Sequence, residues 1–236
     1  NCKFLFNYHK GFLMKKIFMV AVISSLLVGC KVDLETKINT DNLLSSEQNI
    51  VKGDINFEVS SCNDFEDSRK ESKSLIELKN KVPEIFRDAE YVECYKQKLN
   101  SFAHFSIPVG VGKVEDGQNT VDTDLMVFSY KEILAGVYAS EGVIKRIKQA
   151  EKNSHQKMDF SISIILMPGN VKMDKVVALG VTFTGDTSKN DPVLISRIKF
   201  GNKPLTFKLS DVSVNQLMQY GMVPFLVTPE YFTLYK

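Results

Sequence analysis

From Met158 to the C terminus the chain alternates apolar and polar residues in one short run after another. That period of two constrains the fold more than any other feature. MDFSISIIL places Met158, Phe160, Ile162 and Ile164 on one side. KVVALGVTFTG, PVLISRIKF and PLTFKLS follow, separated by Pro168-Gly169-Asn170, the Asp186–Asp191 turn region and Gly201-Asn202. Strands send successive side chains to opposite faces, so these runs suit half-buried strands. MVPFLV and YFTLY read as two last strands, with Pro229 guarding an edge. A helix over Val214–Tyr220 should stop at Gly221, which can take the left-handed conformation of a helix terminus.

The first half mixes both periods. Ile55, Phe57 and Val59 in GDINFEVSSC alternate as a strand does. SKSLIELKNKVPEIF carries Leu75, Ile76, Leu78, Val82 and Phe86 at helical spacing, with Pro83 as a break. The spacing predicts a helix near Ser72–Lys81 and a turn of helix near Glu84–Asp88. Phe102–Val111 and Leu125–Tyr130 read as strands of one hairpin, turning at Asp116-Gly117. Ser140 is the expected N-cap of a helix whose buried face holds Ile144, Ile147 and Ala150. The expectation is an α+β fold, mainly antiparallel β-sheet or sandwich, with a few inserted helices. It occupies 53–236, and a sub-boundary could fall near 152–157.

The N-terminal segment has a different chemistry. Lys15 and Lys16 precede an uncharged run of 13 residues, Ile17–Gly29. As a helix it would rise only about 20 Å, short of a bilayer core of ~30 Å. A basic start, a short apolar run and small residues at the end match a secretory signal peptide over 14–29. Leu27-Val28-Gly29-Cys30 reads as a lipobox, and here the chain resembles bacterial lipoproteins. The resemblance implies that Cys30 receives diacylglycerol and that signal peptidase II cuts before it. The new amino group would then be acylated, commonly with palmitate. Residues 1–13 are expected to be an upstream extension ahead of Met14. Residues 30–52, polar and rich in Asn, Ser and Thr, are expected to be a lipid anchor and tether.

Removing 29 of 236 residues leaves 207, and the four leader lysines leave 26 basic residues against 28 acidic ones. The mature chain is thus slightly acidic, and without a basic arm nucleic-acid binding is disfavoured. Cys62 and Cys94 remain besides Cys30. In an exported compartment they are expected to pair, closing a loop worth about 3–4 kcal/mol in the chain-entropy estimate. The competing reading is a thiol nucleophile served by His104.

No HExxH, GxSxG, P-loop or dinucleotide glycine motif occurs. His104 and His155 lie far apart in sequence and do not suggest a zinc site. The richest set of hard oxygen ligands is Glu115, Asp116, Asp122 and Asp124. Calcium takes about six to eight oxygens, and the EF-hand spacing is absent, so a solvated loop is the simpler reading. Tyr91, Tyr95, Phe102 and Phe105 could line a groove or fill the core. No metal and no cofactor is expected.

The stretches KVDLETKINTDNLL, GDINFEVSSCNDFEDSRK and VPEIFRDAEYVECYKQKLNSFAHFSIPVGVG are similar to uncharacterised lipoproteins often encoded by prophages and mobile elements. The resemblance implies no activity and points to an accessory envelope role, such as exclusion of other phages or conjugating elements. The expected partners are membrane lipid, through acylated Cys30, and an envelope protein. Lys31 follows Cys30 where, in the lipoproteins of enteric-type bacteria that the chain resembles, Asp would signal retention at the inner membrane, and the resemblance implies the outer membrane. The expectation is a non-catalytic binding module. The rivals are a carboxylate-dependent envelope hydrolase and a structural part of a secretion or conjugation assembly.

Overall fold

The computed structural model describes residues 30–115, 121–171, 173, 176–184, 191–198 and 200–233. The expected leader over 14–29, with Leu27, Val28 and Gly29, lies outside the described residues. So do Asp116 and most of the Asp186–Asp191 turn.

The chain forms eleven strands and four helices in the order β1 (Cys30–Asn39), α1 (Thr40–Leu44), β2 (Asn49–Val59), α2 (Lys73–Ile85), β3 (Glu90–Gln97), β4 (Asn100–Lys113), β5 (Leu125–Tyr130), β6 (Ile133–Ala139), α3 (Glu141–Ser154), β7 (Met158–Met167), β8 (Val176–Thr184), β9 (Asp191–Ile198), β10 (Leu205–Leu209), α4 (Asp211–Tyr220) and β11 (Met222–Val227), followed by a 3-10 turn at Pro229–Thr233. Nine strands run β10-β7-β1-β2-β4-β5-β6-β11-β8, and β8 pairs back onto β10 to close a barrel. β3 and β9 are added outside, on β4 and β8. The mainly-β α+β class is as expected, but the architecture is a barrel and not a sandwich. The difference is non-local: β8 leaves β11 after Ala178 and joins β10 from Val181.

That change of partner needs Gly180. Its φ is +57°, and an added Cβ would collide with the Ser213 hydroxyl. Its carbonyl accepts from Ser210 N at 2.9 Å and Ser213 Oγ at 2.8 Å, fastening the start of α4 to the seam.

Residues 30–52 are not a tether. β1 pairs antiparallel with β2 and parallel with β7 along its whole length, from Cys30 opposite Met158 to Asn39 opposite Met167. It buries Cys30, Val32, Leu34, Thr36 and Ile38, while the alternate residues face out and make the segment look polar in sequence. No domain boundary falls at 152–157 either, because the strand that follows is woven beside β1.

Phe102–Val111 and Leu125–Tyr130 do not form a hairpin. β4 and β5 are parallel, with Val109 opposite Leu125 and Lys113 opposite Ser129. A parallel neighbour requires the chain to travel back along the strand. The return passes against Gly110, where a Cβ would lie 2.8 Å from both Thr123 Oγ1 and Val121 Cγ2. Pro229–Thr233 differ too: they make the 3-10 turn, so Pro229 begins a turn and not a strand edge.

The local expectations for helices fare better. Ser140 Oγ accepts from Val143 N at 3.2 Å, and Val143, Ile144 and Ile147 are buried. Gly221 ends α4 with φ +77°. α2 is one helix through Pro83 to Ile85, where two pieces were expected. Its buried face of Leu75, Leu78, Val82 and Ile85 holds it together against the core. Phe57 meets Phe86 and Phe105 at 6.3 and 6.0 Å, and Tyr91 meets Phe105 at 5.5 Å.

The barrel interior is filled by side chains. A void of about 10 Å³ among Leu34, Thr36, Val109, Leu125, Val127, Val137, Ile162 and Ile164 has no room for a ligand. Thr36, 2 % exposed, faces it with a hydroxyl that has no hydrogen-bond partner. Thr36→Val keeps the shape and removes the unpaired oxygen. It should stabilise the protein by about 1 kcal/mol, raising the urea midpoint at constant slope; an unchanged or lower midpoint would show that the hydroxyl is satisfied.

Candidate binding face

Among the described residues the void inside the barrel is too small for a ligand, whereas the barrel wall carries an open polar groove. Five adjacent strands, β7-β1-β2-β4-β3, present their polar sides together. The register sets two rows across them. One holds Ser161, Asp33, Asn56, His104 and Glu93; the next holds Ser163, Glu35, Asp54, Ser106 and Glu90. Asp33, Glu35, Asp54, Asn56, Tyr95, His104, Ser161 and Ser163 border an open groove of about 490 Å³.

His104 Nε2 lies 2.8 Å from Asp54 Oδ1, a diagonal contact between the rows. Lys31 Nζ is 3.1 Å from Asp33. Tyr95 stacks on Phe102 at 5.6 Å, and its hydroxyl donates to Asn56 Oδ1 at 3.3 Å. Burial, then the charges of Asp33 and Glu93, raise the Tyr95 pKa, so the phenol remains a donor. Glu35 stands directly opposite Asp54, an arrangement that ordinarily costs stability. The face therefore offers carboxylate acceptors and hydroxyl donors on a rigid sheet. It suits a cationic or hydroxyl-rich partner. Tyr91 and Phe105 belong to the core, whereas Tyr95 and Phe102 lie on this face.

The acidic loop residues go elsewhere. Asp124, with its side chain 5 % exposed, accepts from Arg87 N at 2.7 Å, Arg87 Nε at 3.0 Å and Arg146 Nη2 at 2.5 Å. Arg87 also grips Asp122 at 2.7 and 3.0 Å, and Glu115 meets Lys113 at 2.8 Å. These carboxylates are bound by cations of the protein, which removes the ground for reading Glu115, Asp122 and Asp124 as calcium ligands. Asp124 ties the end of α2 to α3, since Arg146 Nε also donates to the Ile85 carbonyl at 2.7 Å. Neither arginine carries a local sequence signal, because their partners lie far along the chain. Among the described residues, no three His, Cys, Asp or Glu side chains converge as metal ligands.

Cys62 and Cys94 form a disulfide joining the end of β2 to β3. This pairing takes from Cys62 and Cys94 the thiol that a nucleophile near His104 would need. Cys30 begins β1, its N–H donating to the Lys157 carbonyl at 3.1 Å. No helix among the described residues is long and apolar enough to cross a membrane.

Fold and face together define a closed nine-stranded β-barrel with a polar groove on its wall. The chain belongs to the DUF7424 family, a domain of unknown function, which matches residues 32–232. That span runs from β1 into the final 3-10 turn, so the family domain is the barrel itself. No curated protein matches the chain.

Asp124 makes stability acid-sensitive. Burial alone would push its pKa up, but Arg146 and Arg87 outweigh burial and hold it below the ordinary value. A lowered folded pKa means the contribution is complete above the unfolded value of about 3.9 and fades as pH falls through the folded value. Asp124→Asn leaves both arginines without their shared charge, and should cost about 2–3 kcal/mol at pH 7 after discounting their partial exposure. The gap to the parent protein in urea unfolding should narrow at pH 3; an equal gap at both pH values would refute this role.

Proposed function

We propose that this is an exported, lipid-anchored protein of the cell envelope, acting as a non-catalytic binding module through the β7-β1-β2-β4-β3 face. The observation that supports the binding role is the open polar groove on the barrel wall, bordered by Asp33, Glu35, Asp54, Asn56, Tyr95 and His104. The lipobox supports the anchor, with Cys30 as the acylated residue and palmitate the expected acyl group. Because Cys30 opens β1, the reading places acylation and cleavage before β1 folds, on the precursor in the membrane. Lipidation raises the local concentration of the module for a membrane-proximal partner. An outer-membrane site and a role in excluding phages or conjugating elements fit this arrangement.

The groove lined by Asp33, Glu35 and Asp54 gives a specific ground for the rival hydrolase reading. A carboxyl general acid is normally tuned by burial. The side chains of Asp33 and Asp54 are 34 % and 49 % exposed, and each already has a basic partner. The geometry favours binding over proton transfer.

The test is purification of the protein from membranes after mild cross-linking, beside Cys30→Ser and the double variant Asp33→Lys/Glu35→Lys. The expected result is acyl mass on Cys30 and a stoichiometric partner that both variants lose, with acylation intact in the double variant. An unmodified Cys30 would overturn the anchor. A partner retained by the charge-reversed face would overturn the assignment of that face.

A further inference from the structure

We infer that the barrel stands end-on against the lipid surface, with Phe65 and Leu99 entering the membrane interface. The inference rests on the lipid-anchor reading and adds the orientation, the contact residues and the partner, a bilayer surface.

The first ground is the missing tether. Cys30 is the first residue of β1 and already opposite Met158, so no flexible chain separates an acyl group from the barrel. Whatever surrounds Cys30 must lie at the headgroups. Register identifies those surroundings. β1 and β2 are antiparallel, with Val32 opposite Phe57, which places Cys30 at the end where β2 finishes at Val59. Val59 is opposite Ser101, and Ser101 is opposite Lys96, so the β3–β4 turn projects from the same end. The loop from 60 to 72 leaves β2 there too.

The second ground is independent of the anchor. Among the described residues, Phe65 and Leu99 are the two large apolar side chains with complete exposure, at 102 % and 101 %. Both belong to this end. Leu99 occupies the tip of the β3–β4 turn beside Lys98, whose φ is +56°. Phe65 sits in a turn where Asp64 Oδ1 accepts from Glu66 N at 2.9 Å and Asp67 N at 3.2 Å. Below it, Asn63 bridges Glu71 and the Cys62–Cys94 disulfide fixes the loop to β3. The phenyl ring is thus held outward by a braced loop. Exposed apolar tips on a rigid body, next to an anchoring point, are what an interfacial contact requires.

Charge does not select the lipid. Around the tips Arg69, Lys70, Lys96 and Lys98 are set against Asp64, Glu66 and Asp67, close to balance. Contact should rest on the apolar tips and need no anionic headgroup.

The chain contains no tryptophan, so one introduced indole reports alone. Phe65→Trp and Leu99→Trp, both at fully exposed positions, are compared with Ile50→Trp at the opposite end of β2. Each full lipidated protein is taken from membranes and incorporated in phosphatidylcholine vesicles with brominated acyl chains. Blue-shifted, strongly quenched emission is expected at positions 65 and 99, with water-like emission at 50, and no change when anionic lipid is added. Acylated protein whose three positions emit alike, or whose position 50 is the quenched one, would overturn the orientation and leave the anchor standing. Absence of acyl mass on Cys30 would overturn both.

Discussion

The structure depends on one parallel contact, β1 against β7. Ten residues of β1 face ten of β7, and everything from β2 to α3 lies between them in sequence. A parallel pair cannot be closed by a tight turn. Here the crossover is half a domain, and it carries β2 to β6 around the wall before β7 returns. β10 then docks on β7 and β8 on β10, which shuts the barrel. The contact is stitched at its start by the Cys30 to Lys157 hydrogen bond. Loss of β1 would expose an edge of β2 and of β7 at once, and with them the alternating core residues Val32, Leu34 and Ile38. Such long-range pairing makes slow, cooperative folding the natural expectation.

Elements governed by neighbours in sequence were legible. The Ser140 cap, the Gly221 terminus, the alternation of β7 and the Cys62–Cys94 bridge each follow from local spacing or from a short inventory. Elements governed by distant partners were not. β1 hides because its outer side, Asp33, Glu35 and Lys37, is as polar as a linker, and one of its inward residues is Thr36. The β4–β5 connection imitates a hairpin because Asp116-Gly117 is a strong turn signal, and nothing local says that the next strand is parallel. Barrel and sandwich share the same alternation and differ in whether the last strands meet the first. Of the site, His104 and Tyr95 were visible as residues worth weighing. Their meeting with Asp33, Glu35 and Asp54 depends on a register across five strands that no single segment encodes.

The acidic residues show how context divides one residue type into two roles. Asp122 and Asp124 are claimed by Arg87 and Arg146, and they fasten helices to the sheet. Asp33, Glu35 and Asp54 lie on open strands, where Glu35 faces Asp54 across the ladder. Opposed carboxylates cost up to about 1 kcal/mol in a sheet. A surface that only needed solubility could have interspersed lysines at no such cost. The positive charge of a partner bound on the proposed face would relieve that opposition.

Orientation and binding face then constrain one another. If Cys30 is anchored as proposed, Asp33 and Glu35 follow three and five residues along an extended strand. At ~3.3 Å per residue they would stand at most about 10 to 17 Å above the headgroups, and less with the tilt of barrel strands. In the proposed orientation the acidic groove would open sideways, parallel to the membrane and close to it. A partner meeting it there would itself be membrane-proximal and present basic or hydroxyl groups at that height. A long tether would let the module search freely, whereas an anchor built into β1 would fix both height and direction. Recognition here would be a matter of lateral encounter within the plane of the membrane, with the barrel serving as a rigid pedestal for the acidic wall.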